Sequence, residues 1–499
     1  MSVTSQKLVF ANETAGINKA AYDASQLAHA SRCNDPPTQG ELSMAREYVA
    51  ALDTDLRYYD DELVFVRSYL DQIQARQTET QSARQRLFNV LSPIRRLPDE
   101  LLREIFQWCW AAEPINILKP PWTLSMVCRR WRFIALSTST LWNSIILPPT
   151  FKGMNTLLSI LIQRSGVAPL DFTLHPTASD DTFLILFAQI YRWRKASLHL
   201  TPRRYDILGS FQGHLPNLQE MVLRYMPTAG ERLADRSPLH TFSAAFNLTW
   251  VKTLDIPLPL IRFPLANLKS LDISCPSLQA YEALGCAQNL EELSLIIRSQ
   301  PDRIPVGSVV HAPRLKRLVI TPDDHILDHL HLPALQHLRA DLHIAFEGAN
   351  IGSQCLGLIL RSGCPLVHLH LEEINITDEE VLQIITATPH LRELTLQHLS
   401  LSSSTFQPLL CAAATSRCRI SQLEKLTVHD HPRDDNIELW LDFVESRLVD
   451  GRVDIEGRRI ATLKFVKMGL WTINNDPDER TWERTRRLNE DYGFDIDIC

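Results

Sequence analysis

Glycine is scarce in this chain, with 17 among 499 residues. Loops that cradle phosphates through bare backbone therefore have little material. No GxGxxG, GxxxxGK(S/T) or GxSxG pattern stands in a strand–helix context. The ten cysteines are scattered and form no CxxC pair, which removes the common zinc and redox motifs. Free, mostly buried thiols are expected, in a reducing compartment that is the cytosol or the nucleus. Long apolar runs are missing too, since stretches such as Phe183–Ala188 fall far short of a membrane span. Met1–Leu8 shows no basic start followed by an apolar core, so no secretory leader is expected. Positive charge is in the minority, and the net charge of −7 disfavours a general nucleic-acid binder. Neither nucleic acid, membrane nor a cofactor is expected as a partner.

What the chain does have begins with a seam. Residues 1–40 lack periodicity and are expected to be a disordered tail, closed by the linker Asn34-Asp35-Pro36-Pro37-Thr38. A helix is expected over 41–92, ending where Ser92 precedes Pro93. Along it Val49, Leu52, Leu56, Tyr59, Leu63, Val66, Leu70 and Ile73 alternate at spacings of three and four. This is the a/d pattern of a coiled coil, sustained for about three and a half heptads. Polar Gln77, Thr80 and Arg84 then occupy the same register before Leu87 and Leu91. Two readings follow: a homodimer through residues 49–73, or one helix laid against its own domain or against another protein.

A helical hook is expected over 93–147. Pro98 suits the first turn of a helix, and Asp99 and Glu100 complement its dipole. Leu101, Leu102, Ile105 and Phe106 then form an apolar stripe at helical spacing, and Leu124, Val127, Trp131, Ile134 and Ala135 form a second. About fifty residues make a poor core alone, so the hook needs a partner surface. The run Leu97-Pro98-Asp99-Glu100-Leu101-Leu102, then Ile105-Phe106, Val127-Cys128-Arg129-Arg130-Trp131, Ile134-Ala135 and Leu141-Trp142, resembles an F-box. The resemblance implies binding of a SKP-family adaptor and, through it, a cullin scaffold of a ubiquitin ligase. The adaptor-contacting residues it implies are Leu97, Pro98, Leu101, Leu102, Ile105, Phe106, Val127, Cys128 and Trp131. Pro114, Pro120 and Pro121 depart from the family pattern and are expected to lengthen and interrupt the usual short helix.

Beyond residue 148 a phrase L-x-x-L-x-L recurs. Clear copies start at Leu268, Leu290, Leu315, Leu366 and Leu391, and looser ones at Leu218, Val251, Leu335, Leu423 and Ile460. Leu198 and Leu200 mark an earlier copy. The phrases resemble leucine-rich repeats, and the varying period and mostly absent consensus asparagine imply an irregular solenoid over 148–470. Thr377-Asp378-Glu379-Glu380 reads as the capping box of one return helix. Alternation sends the leucines inward and their neighbours onto a concave face. Glu220, Arg224, Asp255, Asp272, Glu292, Arg317, His337, Arg339, His368, His370, Glu393, Gln397 and Lys425 are the candidate target-binding residues there. Residues 471–499 are expected to cap the array.

The densest set of metal-ligand residue types is Asp323-Asp324-His325-Ile326-Leu327-Asp328-His329-Leu330-His331. Without an HExxH glutamate it is expected to be a hydrated loop, so no metal and no catalytic residue is assigned. The fold class is thus α/β: a coiled-coil-like helix and a helical F-box, then a leucine-rich-repeat-like solenoid. The order of parts resembles the expanded F-box family of mushroom-type (basidiomycete) fungi. It implies a non-catalytic substrate receptor of a SKP–cullin–F-box ubiquitin ligase. A ligase-independent scaffold and, far behind, a metal-dependent hydrolase are the alternatives.

Overall fold

The computed structural model describes residues 35–109, 116, 118–149, 152–226, 236–297, 304–321, 325–341, 351–402, 420–430, 437–448, 459–470 and 478–498. The expected tail up to residue 34, Pro114, Asp323, Asp324 and residues 471–477 lie outside them. The chain divides into two units, one ending at Leu101 and the other beginning at Leu102.

The first unit is dominated by α1 (Gln39–Leu91). Its start is fixed by a capping box: the Thr38 hydroxyl accepts from the Glu41 N–H, and the Glu41 carboxylate accepts from the Thr38 N–H at 2.7 Å. The helix stops before Ser92-Pro93, where the pre-proline residue leaves the α region. No α1 residue is buried. A 3₁₀ turn (Pro93–Arg96) leads into α2 (Asp99–Trp108).

The second unit continues with α3 (Trp122–Val127) and α4 (Arg129–Ser137) and then a parallel sheet. Among the described residues its fourteen strands pair in chain order. They are β1 (Ser144–Ile146), β2 (Leu170–Thr173), β3 (Trp193–Leu200), β4 (Glu220–Tyr225), β5 (Trp250–Leu254), β6 (Ser270–Cys275) and β7 (Glu292–Ile297). β8 (Arg317–Thr321), β9 (His337–Asp341), β10 (His368–Glu372), β11 (Glu393–Gln397), β12 (Lys425–Asp430), β13 (Phe465–Leu470) and β14 (Asp495–Ile498) complete it. The return segments carry α5 (Met154–Ser165), α6 (Asp180–Phe187), α7 (Pro202–Gly209), α8 (Ser277–Cys286), α9 (Ile351–Ser362), α10 (Asp378–Ala387), α11 (Glu438–Ser446) and α12 (Glu479–Tyr492).

Register explains the leucine phrases. Leu271, Leu293, Leu318, Leu338, Leu369, Leu394, Leu426 and Val466 stand side by side in one row across β6–β13. Every one is 2% exposed or less. A strand carrying two such residues cannot bury them alone, so each repeat is completed by its neighbours. The fold is a mixed helix-and-sheet structure whose sequential parallel sheet fits a solenoid.

Two expectations need correction. The copy assigned to Val251-Leu254-Ile256 starts instead at Leu248, because Val251 and Thr253 point inward and Leu254 does not. The last copy starts at Leu463, not Ile460, with Val466 and Met468 buried and Phe465 exposed. Buried Thr253 hid the first slip, since a count of leucines passes over a polar inward residue. Within the tail, β14 pairs with β13 from Lys467/Asp495 to Leu470/Ile498. β1 lies within the hook and pairs with β2, so the hook supplies the first strand of the sheet.

The consensus asparagine is mostly absent, yet another asparagine row is present. The side-chain amides of Asn217, Asn247, Asn267 and Asn289 donate to the carbonyls of Tyr191, Pro216, Phe246 and Ala266 in the preceding repeat, at 3.0, 2.6, 3.0 and 2.7 Å. Each immediately precedes the first leucine of its phrase, and Arg314 continues the row by donating to Asn289 at 2.8 Å.

Candidate functional site

Two surfaces carry the candidate residues. In the hook, Leu102, Phe106, Leu124, Ile134, Ala135, Leu141 and Trp142 form a buried core. The Phe106 and Trp131 rings pack at 4.9 Å, and the Trp142 indole N–H donates to the Ala135 carbonyl at 2.8 Å. The Arg132 guanidinium donates to the Ser125 carbonyl at 2.9 Å and ties α4 to α3. Arg164 of α5 lies 4.4 Å over both the Trp122 and Trp142 rings, so cation–π contacts anchor the hook to the first return helix. Burial holds the Arg164 guanidinium below its usual range.

This core sorts the residues that the F-box resemblance implies. Leu102 and Phe106 are fully buried, so they shape the hook and cannot themselves form an outer face. Pro98, Leu101, Ile105, Val127 and Cys128 are exposed, while Leu97 and Trp131 are half-buried. Cys128 has a local duty as well: it caps α4, its Sγ accepting from the Trp131 N–H at 3.4 Å. Trp108, Met126, Phe133 and Leu136 are further exposed apolar residues that reading by family pattern missed. Their signal was present, because they fall outside the helical period of the buried set. α3 begins directly after Pro121, so the proline pair sets the start of a short helix.

The outward side of the sheet is the second surface. Glu220, Arg224, Asp272, Glu292, Arg317, His337, Arg339, His368, His370, Glu393, Gln397 and Lys425 all lie on strands at non-buried positions. Asp255 does not: it follows β5 at φ +62°, in the turn, as the register correction requires. Trp250, Lys252 and Phe465 take outward places that the shifted phrases concealed.

Charges on this side are neutralised strand by strand. Lys195 pairs with Glu220, Lys252 with Asp272, Glu393 with Lys425 and Lys467 with Asp495, at 2.6, 2.6, 2.5 and 3.2 Å. Arg339 reaches both Asp341 and Glu372, at 2.9 and 3.0 Å. Over β8–β11 lies an open depression of about 510 Å³, lined by Arg317, His337, Arg339, His368, His370 and Glu393 among others. The His337 and His368 rings stack at 4.1 Å, and His368 Nδ1 meets Glu393 at 2.7 Å. Burial, reinforced by His368 and Arg317, holds His337 below the usual imidazole range. Burial likewise lowers His370, outweighing its hydrogen bond to Glu372. For Glu393 burial acts upward, but hydrogen bonds from Lys425 and His368 prevail and hold the carboxyl low.

Among its described residues the histidine-rich connector forms no α-helix. His325 precedes a 3₁₀ turn (Ile326–His329), so His325 and His329 do not share a helical face. His329 Nδ1 meets the Ser308 carbonyl at 2.7 Å, and His331 Nδ1 meets His311 Nδ1 at 3.1 Å. Among the described residues no group of three or more His, Cys, Asp or Glu is placed to hold a metal.

Comparison with known families agrees with the hook. Residues 94–148 match the F-box-like family model, so the chain carries an F-box-like domain there. No curated protein matches the chain.

Proposed function

We propose that this protein is a non-catalytic substrate receptor of a SKP–cullin–F-box ubiquitin ligase, acting in the cytosol or nucleus. The F-box-like match over 94–148, together with apolar side chains left exposed on α2, α3 and α4, carries the reading. F-box domains bind SKP-type adaptors, and an adaptor links its receptor to a cullin. The parallel array behind the hook is read as a leucine-rich-repeat-like solenoid of the mushroom-type F-box family, and its outward face as the surface that holds a target protein. Holding the target beside a charged ubiquitin-conjugating enzyme raises the effective concentration of its lysines, so the receptor performs no covalent chemistry. Neutralised charge on the face points to recognition by shape and specific pairing instead of bulk attraction.

Co-expression of the tagged full chain with a SKP-family adaptor and a cullin tests this. A complex containing all three components is expected. A folded chain that recovers neither would leave the protein a ligase-independent scaffold.

A further inference from the structure

We propose that α1 is a self-association helix, which pairs in parallel and in register with a second copy of this chain. The eight seam residues from Val49 to Ile73 are between 38% and 60% exposed, and Leu42 and Ala45 extend the same register toward the N-terminus. From Leu42 to Ile73 the seam is about 48 Å long at 1.5 Å per residue, above the three to four heptads that a coiled coil needs. Within its own unit no described residue buries it, and its downstream end is marked on the helix itself. Gln77, Thr80 and Arg84 take the seam positions there, and Arg84 folds back over Phe88 of its own helix at 4.8 Å.

The flanking charges choose the partner and its direction. In a parallel pair each residue preceding an a position faces the residue five places on in the other copy. Glu41 then meets Arg46 and Glu62 meets Arg67, against one like-charge encounter, Asp55 with Asp60. Reversing one helix so that all eight seam residues still meet centres the pair on Asp61. That arrangement sets Glu62 against Glu62 and Asp60 against Asp60, leaving Asp53 with Arg67 as its sole opposite-charge pair. Like charges facing each other are unfavourable, so the parallel arrangement prevails and a copy of the same sequence is the matching partner. Leucine at a with Val66 and Ile73 at d also admits more than two strands, so the copy number is read from the mass.

The inference does not depend on adaptor binding. Light-scattering mass of the full chain is expected at twice 56.9 kDa or a higher multiple. Leu56→Asp/Leu63→Asp should reduce it to 56.9 kDa without moving the unfolding midpoint of the rest, since neither side chain is buried. Arg67→Glu should weaken association, and adding Glu62→Lys should restore it. Val49→Cys should cross-link to itself on oxidation, beyond the background of Cys109, Cys128 and Cys286. A wild-type monomer at micromolar concentration would overturn the proposal and assign the seam to another protein or to residues 1–34. Self-association without the Val49→Cys cross-link, or rescue of Arg67→Glu by Asp53→Lys instead of Glu62→Lys, would overturn the parallel direction.

Discussion

Burial pushes the thiols of Cys275 and Cys355 up to about 12, while Cys109, Cys128 and Cys286 lie exposed. Thiolates are the reactive form, so site-mapped alkylation of the native protein should modify the three exposed cysteines and spare Cys275 and Cys355. Equal labelling of all five would contradict the burial pattern. The histidines give a second test. His337 and His370 are held neutral when folded, below their ordinary value of 6.5. Unfolding frees them to bind protons, so their contribution is complete above about pH 6.5 and declines as pH falls below it. Urea midpoints should therefore fall between about pH 7 and about pH 5.5, and less steeply in His337→Gln/His370→Gln. A variant with the wild-type slope would remove these residues as the cause. None of this was legible in the sequence, because a histidine's proton affinity depends on strands that lie about twenty to thirty residues away. Among the six described cysteines, Cys109, Cys128 and Cys286 are exposed where burial was expected.

At the scale of elements, the phrases that were easiest to read are those whose inward residues are all large and apolar. Leu293 and Leu394 occupy the shared inward row, and Leu293→Ala or Leu394→Ala should cost about 2–5 kcal/mol by leaving a cavity. Chemical denaturation measures this, and unchanged stability in both would contradict the row. The asparagines act at the rim instead. Asn267→Ala removes one inter-repeat hydrogen bond at an exposed site and should cost about 0.5–1.5 kcal/mol. The capping boxes at Thr38 and Thr377 follow from local chemistry, and the Thr377 box was readable because nothing distant is needed to make it. β1, β2 and β14 escaped notice since each is three or four residues long and none carries the full phrase. The slips at Val251 and Ile460 share a cause. A strand's period of two fixes which residues alternate, but only pairing with a neighbour fixes which set faces in.

For the whole molecule, the bounds of the hook were legible, and the sharing of strands between parts was not. The hook shares β1 with the sheet, and the tail contributes its last strand, so segments that differ in sequence character join one continuous array. The F-box pattern located the hook, but pattern alone cannot tell Phe106, which is buried, from Ile105, which is exposed. The most direct test of the receptor reading uses that distinction. Titration of purified SKP-family adaptor into the full chain should show one adaptor per hook. Ile105→Asp/Val127→Asp should weaken binding at least about 100-fold, close to 3 kcal/mol, with the unfolding midpoint unchanged. A wild-type chain that binds no adaptor, or a variant that binds as tightly as wild type, would contradict it.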